Sequence, residues 1–447
     1  MTNEPESKRR GPWARALEMA VATPPERNRY VDFLRAWSIG FVVFGHWLVA
    51  AAHQTESGFE IGHVLGIQPA TQWLTWIFQV MPVFFMVGGF SNGISWTSAK
   101  NKNKPYAEWL AARVQRLVRP MVPLMLLWGL ASVIAFSLGE SVEVIRVGTQ
   151  MALIPLWFLA VYVLVAALTP VTWRLWERFG VGSFVGMASI AVLVDVLVFR
   201  FGISAAGWTN YAFLWFAVHQ LGYAWRDGIF AGTVRPLALA AFGLSALLWM
   251  TQAGPYPLSL VGVPDDPLSN TTPPRLPLLA LALFHGGLLL AVEKPVRKWL
   301  ANPKPWAVTI LINSMIMTVY LWHLTPMAFV FGAGYWSGGR GFTVEPGSGS
   351  WWALRPIWIL GLFILLVPFI AIFNRFESAG PREASTLSAP RLVAAALLVT
   401  AGLAYLALDG VHLLGWGDVR SWALVFPLAG AWLGGAWPAL RRSQGTG

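Results

Sequence analysis

Long apolar runs recur along this whole chain, and they restrict its possible folds more than any other feature of the sequence. Each run is about 20 residues long, the length that a helix needs to cross a bilayer. None alternates apolar and polar residues over about 10 positions, as a barrel strand does. The runs therefore predict an all-α polytopic membrane protein with twelve spans, near residues 31–52, 72–97, 118–138, 151–172, 181–199, 204–225, 235–252, 276–293, 306–333, 353–373, 391–408 and 419–438.

The composition agrees with a membrane location and excludes several other classes. Charged residues make up 12% of the 447 residues, about half of the roughly 25% found in soluble domains. The net charge of +11 comes from 32 Lys and Arg residues that are scattered over short segments, so we expect no nucleic-acid partner. The chain has no Cys, which excludes disulfides, thiolate metal sites and a thiol nucleophile.

Charges at the ends of the runs predict the topology. Residues 1–29 are polar and lack the apolar core of a signal peptide, so we expect a cytoplasmic N-terminal tail. Lys and Arg collect on the cytoplasmic side of a membrane, and with this tail inside, only six lie outside, namely Arg146, Arg200, Arg275, Arg340, Arg355 and Arg420. We expect a multi-pass plasma-membrane protein with both termini in the cytoplasm. Residues 391–440 form either a hairpin or one long helix, which gives twelve or eleven spans.

The first span carries the most ionisable side chains. Arg35 and His46 are eleven residues apart, which on a helix is about three turns and about 16 Å of rise, so both lie on one face. Asp32 precedes Arg35 by three residues and is its natural ion-pair partner. Arg35 alone could anchor the interface, and His46 alone could be a packing histidine. Their shared face favours a functional pair in which His46 accepts and returns a proton.

Small residues mark the second span. Gly88, Gly89 and Gly93 remove side chains from one side of a helix, so that another helix or the chain of a ligand can approach its backbone. Both interpretations stay open at this point. Phe85 and Asn92 in the same span are candidate lining residues of such a groove.

Three arginines precede the third span at helical spacing, Arg113, Arg116 and Arg119. Guanidinium groups bind phosphates through paired hydrogen bonds, so this cluster is a candidate site for a phosphate-bearing ligand. The alternative is ordinary cytoplasmic charge bias or contact with lipid headgroups.

Tyr320 and His323 form a further candidate pair in the ninth span. His323 is either a second base or substrate contact, or a residue that satisfies backbone groups freed near Pro326. Other ionisable residues predicted inside spans are isolated in the sequence and carry less weight, namely Asp195, His219 and His285.

The outer loops offer weaker candidates. His53 and His63 invite a metal interpretation together with His46, but they lie in a polar loop without helical spacing, so we expect no metal. The loops 253–275 and 334–351 are long and rich in Gly and Pro, which is typical of flexible connectors and, less often, of substrate lids.

These stretches resemble the acyltransferase family 3 of integral-membrane O-acyltransferases. The resemblance rests on Arg35 with ten residues before His46, on the Phe-rich run 84–90, on Arg113-x-x-Arg116, on Leu-Trp-Phe-Leu at 156–159 and on Tyr-Leu-Trp-His at 320–323. It covers roughly residues 28–373. It implies about ten core helices in a domain at 30–373, after the tail at 1–29 and before a linker and an extra C-terminal transmembrane hairpin at 374–447.

The same resemblance implies an activity and residue roles. Members transfer an acyl group, usually acetyl from cytoplasmic acetyl-CoA, to a hydroxyl of a sugar, a lipid or an envelope glycan. His46 then corresponds to the catalytic base and Arg35 to its partner, while Arg113 and Arg116, with Arg119 behind them, correspond to the motif associated with the acyl donor. Asp32 pairs with Arg35. Gly88 stands where the family usually has Ser, which weakens any role for a hydroxyl there.

Two finer questions follow. The form of the second span and the Lys-poor composition resemble the actinobacterial branch of the family, which implies trehalose monomycolate as the acceptor, with other glycans, lipoglycans or small molecules as alternatives.

A proton-coupled lipid or solute transporter is the main rival to the acyltransferase function, with Asp32, Arg35 and His46 as a proton relay, and a non-catalytic scaffold is a weaker one. The oligomeric state is not predicted, because a lipid-facing stripe and a dimer face look alike in sequence.

Overall fold

The computed structural model describes residues 11–24, 26–263, 266–378, 387–411 and 422–437. Six pieces of the predictions therefore lie outside the described residues. They are the start of the N-terminal tail at 1–10, Pro25 in the same tail, residues 264–265 of the outer loop 253–275, part of the C-terminal linker at 379–386, Arg420 with the surrounding residues 412–421, and the chain end at 438–447.

Helices account for most of the described chain, which confirms the predicted all-α class. Two short 3-10 helices, Pro69–Leu74 and Ser204–Thr209, lie between them. The α-helices are α1 (Pro12–Val21), α2 (Arg29–Val49), α3 (Val64–Ile67), α4 (Thr75–Phe78), α5 (Met81–Asn101), α6 (Tyr106–Val118), α7 (Met121–Ser137), α8 (Val142–Leu153), α9 (Leu156–Ala167), α10 (Thr169–Phe179), α11 (Val181–Phe201), α12 (Asn210–Arg226), α13 (Val234–Gln252), α14 (Leu276–Ala291), α15 (Glu293–Leu300), α16 (Pro303–Asn313), α17 (Ile316–Trp322), α18 (Leu324–Trp336), α19 (Gly349–Ser378), α20 (Ala389–Asp409) and α21 (Val425–Leu433).

A β-hairpin lies where the sequence predicted only a polar outer loop. Strands β1 (Ala50–Thr55) and β2 (Gly58–His63) are antiparallel, and the register runs from Ala50 opposite His63 to Thr55 opposite Gly58. The Thr55 hydroxyl donates to the Gly58 carbonyl at 3.0 Å and closes the two-residue turn. Gly58 has a φ of +133°, which glycine adopts without steric cost. The hairpin returns the chain to the end of α2.

The chain divides into two compact units. The first unit comprises Met1–Ser95, Thr169–Ile316 and Ala333–Gly361, and the second comprises Trp96–Leu168, Met317–Gly332 and Leu362–Gly447. In the first unit α2 packs against α15 and α16, α11 against α12, and α13 against α14. The short helix α1 packs on α16 through Ala16, Ala20 and Trp306. In the second unit α20 packs against α6, α8, α9 and α21.

By length and composition, fewer helices of the described chain qualify as spans than the twelve predicted. Among the described residues six helices qualify, and nine spans result if each of three bent helix pairs is counted as one. Helix α2 has 21 residues but is not among them, because Asp32, Arg35 and His46 lower its hydropathy. Helix α12 has only 17 residues. The described part of the last predicted span is the nine-residue helix α21, which is about 14 Å long and too short to cross a bilayer.

Candidate functional site

Helix α2 positions the candidate pair Arg35 and His46. The helix begins after Asn28, whose side chain accepts a hydrogen bond from the Val31 amide at 3.4 Å. Asp32 lies in its first turn and His46 in its last turn, which is the arrangement that the helix dipole favours for an acid and a base. Helical spacing keeps both Arg35 and His46 on one face, about three turns apart.

Asp32 and Arg35 form the predicted ion pair. Arg35 Nη1 donates to Asp32 Oδ1 at 3.0 Å, and the Asp32 Oδ2 atom accepts from Arg27 Nη2 at 2.8 Å. The other guanidinium nitrogen of Arg35, Nη2, donates to the Ser91 hydroxyl on α5. Arg35 is therefore held on two sides, by a carboxylate on its own helix and by a hydroxyl on the neighbouring helix. The sequence did not single out Ser91.

The β-hairpin brings His63 close to the end of α2, where His46 lies. His63 is the last residue of β2 and lies opposite Ala50, which follows His46 by four residues. Burial lowers the pKa of His63 below its ordinary value, and its Nδ1 atom has no hydrogen-bond partner among the described residues. Among the described residues, no group of three or more His, Cys, Asp or Glu side chains is placed to hold a metal ion.

The glycines of the second span pack against α12. A Cβ atom on Gly89 would overlap the backbone carbonyl of His219, and a Cβ atom on Gly222 would overlap the carbonyl of Met86. The two backbones therefore touch, and Gly89 serves a helix contact and not the ligand groove that the sequence left open. The adjacent Gly88 is also buried.

The two other candidates of the second span also contact α12. The Phe85 ring stacks on Trp215 with 4.3 Å between centroids. The Asn92 Nδ2 atom lies 3.2 Å from His219 Nε2, and both side chains are buried. His219 is thus a partner of Asn92 inside the helix contact. His285 has a similar role, since its Nε2 atom lies 2.8 Å from the Trp76 carbonyl oxygen.

The three arginines of the second unit have different surroundings. Arg113 is half-buried, with its guanidinium 5.3 Å from the centre of the Trp109 ring. Arg116 is exposed and interacts electrostatically with Glu377, and Arg119 is buried just beyond the end of α6. Arg116 is therefore the most accessible of the three to a soluble phosphate ligand.

Glu377, which interacts with the candidate Arg116, is a residue that the sequence analysis missed. Its carboxylate accepts from the Met317 amide at 3.1 Å, from the Thr318 amide at 2.9 Å and from the Thr318 hydroxyl at 2.8 Å. It therefore links α19 to the start of α17. A lone glutamate at the end of an apolar helix was the only feature in the sequence that could have marked it.

Tyr320 and His323 satisfy backbone groups. The Tyr320 hydroxyl donates to the Pro155 carbonyl at 2.7 Å, and His323 Nδ1 lies 2.7 Å from the Tyr320 carbonyl oxygen. His323 occupies the break between α17 and α18 and is fully buried. Of the two interpretations of His323, these contacts favour the structural one.

The candidate residues thus fall into two sets, each within one unit. The first unit contains Asp32, Arg35, His46, Phe85, Gly88, Gly89 and Asn92, and the second contains Arg113, Arg116, Arg119, Tyr320 and His323.

The loop 253–275 is anchored in its described part, unlike a free connector. The Trp76 indole donates to the Leu258 carbonyl at 2.9 Å, and the Leu260 amide donates to the Thr75 hydroxyl at 2.9 Å. Asp195 adds a third link, because its carboxylate accepts from the Tyr256 hydroxyl at 2.9 Å. Asp195 also accepts from Leu276 N and Asn210 Nδ2. It is a structural residue that ties the loop to α11, α12 and α14.

We expect Asp195→Ala to lower the free energy of unfolding by about 2–3 kcal/mol, because it leaves buried donors without an acceptor. Asp195→Asn is the matched control with a smaller expected loss. The new asparagine keeps one oxygen that accepts hydrogen bonds. Its NH2 group can donate to Asn210 Oδ1 if the Asn210 amide turns over, and that oxygen has no partner among the described residues. Thermal unfolding in detergent measures the stability of both variants. If Asp195→Ala had the same melting temperature as the natural chain, the hydrogen bonds of Asp195 would not stabilise the fold.

The family comparison covers most of the chain. A family model described as an acyltransferase domain matches residues 28–375. No curated protein and no solved structure matches the chain significantly.

Proposed function

The chain belongs to the acyltransferase 3 family, and from that premise we propose that it moves an acyl group, acetyl in the first instance, from cytoplasmic acyl-CoA to a hydroxyl of a cell-envelope glycolipid or glycan. Family membership and its apolar helices make it a multi-pass membrane acyltransferase. The observation that carries the finer proposal is helix α2, which presents a base and a held arginine on one face inside the matched region.

His46 supplies the proton transfer in this proposal. Its imidazole takes the proton of the acceptor hydroxyl while the hydroxyl oxygen attacks the thioester carbonyl carbon. The new C–O bond forms, the C–S bond breaks, and the proton returns from the imidazolium to the CoA thiolate. His46 ends each cycle neutral, and no metal or redox group enters the balance.

Arg35 is a positioning residue. Asp32 and Ser91 fix its guanidinium, so its positive charge stands in one place on the face that carries His46. A group that is already held in one place orients a ligand at a lower entropic cost than a mobile group does. With its fixed charge, Arg35 orients the acyl donor or the groups around it.

The donor and acceptor sides are assigned by chemistry. CoA carries phosphates, and Arg113 and Arg116 on α6 are the candidate contacts for them. The acceptor is a hydroxyl-bearing lipid or glycan, and trehalose monomycolate is the first acceptor to test. Both termini are proposed to lie in the cytoplasm and the spans in the plasma membrane, which puts α6 on the side where CoA is present.

Release of CoA thiol tests the proposed function directly. The chain has no Cys, so a thiol reagent in the assay detects free CoA with no background from the protein. Purified protein in detergent receives acetyl-CoA with and without an envelope lipid extract. We expect thiol release that depends on the extract. Proton-coupled solute uptake into vesicles, with no thiol release from folded protein, would instead favour the transporter.

Arg116→Gln is expected to raise the KM for acyl-CoA by about tenfold, the cost of losing one hydrogen bond to a charged group. The kcat should change little, since Arg116 is placed on the donor and not on the reacting atoms. Lys102→Gln is the control, because it removes an exposed positive charge just before α6. An unchanged KM in Arg116→Gln, or the same rise in both variants, would remove Arg116 from the donor site.

A further inference from the structure

An apolar groove runs along α2. It has a volume of about 610 Å³, within the range of small-molecule sites. Its floor is formed by Phe33, Trp37, Gly40 and Phe44 of α2. These residues recur at spacings of four, three and four, which is one stripe of a helix. The opposite wall comes from α16, and Phe78 and Trp299 with Ala36 and Phe41 of α2 complete the lining.

The groove is separate from the candidate site. Phe44 follows Arg35 by nine residues, which is two and a half turns, so the two lie on opposite sides of α2. From Phe33 to Phe44 the helix rises about 16 Å, a length that suits an extended hydrocarbon chain. The side chains are part-exposed at the rim, with Phe44 at 42% and Trp299 at 49% of full exposure. A hydrocarbon chain can therefore enter the groove from outside the protein.

One end of the groove carries aromatic and basic residues. The Trp299 ring packs edge-on against Phe33 with 5.7 Å between centroids, and tryptophans concentrate at the membrane interface. Lys298 adjoins Trp299, and Lys304 adjoins Pro305 of the groove lining.

These two lysines are available to a ligand. Both are exposed, and neither side chain has an ion pair or a hydrogen bond with another described residue. The neighbouring arginines are already engaged, since Arg29 donates to the Leu300 carbonyl at 2.9 Å and Arg27 donates to Asp32. Free positive charge at the interfacial end of an apolar groove is complementary to a lipid with a negative headgroup.

We propose that this groove binds an anionic phospholipid, with one acyl chain along the α2 stripe of Phe33, Trp37, Gly40 and Phe44 and the phosphate at Lys298 and Lys304. The phosphate lies at the membrane interface, where Trp299 marks the headgroup level. Binding is independent of acyl transfer, because the groove is on the face of α2 that does not carry His46. Its test therefore has a readout other than activity.

Gly40 provides the sharpest variant. A Cβ atom there meets no side chain and no backbone of another segment within 4 Å, so Gly40→Phe adds a ring to the groove-lining stripe at a position with open space around its Cβ. Gly186→Phe is the matched control, because Gly186 is exposed on α11 and a Cβ atom there also meets nothing within 4 Å. Lys298→Gln with Lys304→Gln removes the charges and leaves the groove open.

The experiment is native mass spectrometry of the delipidated full chain in detergent, titrated with phosphatidylglycerol or phosphatidylcholine of the same acyl chains. We expect phosphatidylglycerol to bind the natural chain and Gly186→Phe at least about fivefold more tightly than phosphatidylcholine, since each interfacial lysine contributes about that factor. Gly40→Phe should lose the adduct. The double lysine variant should bind both lipids equally.

Two results would overturn the proposal. One is equal binding of both lipids by the natural chain, which would mean that the groove does not select a negative headgroup. The other is an unchanged phosphatidylglycerol adduct in Gly40→Phe, which would place the lipid elsewhere. Melting temperatures of the two glycine variants show that each is folded before the titration. Neither result would bear on the proposed acyl transfer, which the thiol assay tests separately.

Discussion

His46→Gln is expected to lower acyl transfer by at least about a hundredfold, the lower end of what general base catalysis contributes. Glutamine keeps a polar side chain of similar length but takes up no proton near neutral pH. The loss should appear in kcat, because the proton moves only as the hydroxyl attacks. The release of CoA thiol from acetyl-CoA measures the kcat of the variant, and the natural chain is assayed at the same protein concentration for comparison.

His53→Gln is the matched control for that loss. His53 lies in β1 opposite Glu60 and is not a residue of α2, and we expect its variant to keep the natural rate. Thermal unfolding shows whether each variant is folded. A folded His46→Gln chain that retains more than half of the natural rate would remove His46 as the base.

Gly89→Ala is expected to destabilise the chain by about 3 kcal/mol, the upper end of overpacking costs. The new methyl group would overlap the His219 carbonyl. A backbone atom cannot rotate away as a side chain does, so α5 and α12 must separate. The separation would also stretch the contact between Asn92 and His219. Thermal unfolding in detergent measures the loss, and Gly222→Ala, on the other side of the same contact, should lose a similar amount.

Gly186→Ala is the control for both glycine variants. It adds the same methyl group to an exposed position of α11 with nothing within 4 Å, and alanine favours helices over glycine by about 1 kcal/mol. It should therefore melt at or above the temperature of the natural chain. If Gly89→Ala melted together with Gly186→Ala, the close approach of α5 and α12 would be absent in solution.

Much of α2 could be predicted from the sequence, because its contacts are local. Helical spacing placed Asp32 beside Arg35, and the structure confirms their ion pair. The same spacing put His46 on their face. Glycine spacing in the second span predicted a close approach but left its partner open. Periodicity defines a face of one helix, whereas the choice of α12 as partner depends on residues more than a hundred positions away.

The parts that the sequence did not predict depend on contacts between distant segments. His63 carried little weight as a metal ligand in the sequence because it lies in a polar loop. Only the register of the hairpin brings His63 next to the end of α2. Glu377 became visible through its hydrogen bonds to Met317 and Thr318. The count of twelve spans stays a prediction, since six to nine of the described helices or helix pairs qualify by length and composition and only a nine-residue helix is described in the run at 419–438.

Transfer of label from radiolabelled acetyl-CoA tests the central claim most directly. The purified chain is incubated with labelled donor and with trehalose monomycolate, envelope lipid extract or envelope glycan, and the products are separated and treated with mild alkali. We predict alkali-labile label in a hydroxyl-bearing acceptor, made by the natural chain and by His53→Gln and not by His46→Gln. Folded protein that leaves all of these acceptors unlabelled, or that labels them equally with and without His46, would contradict the account.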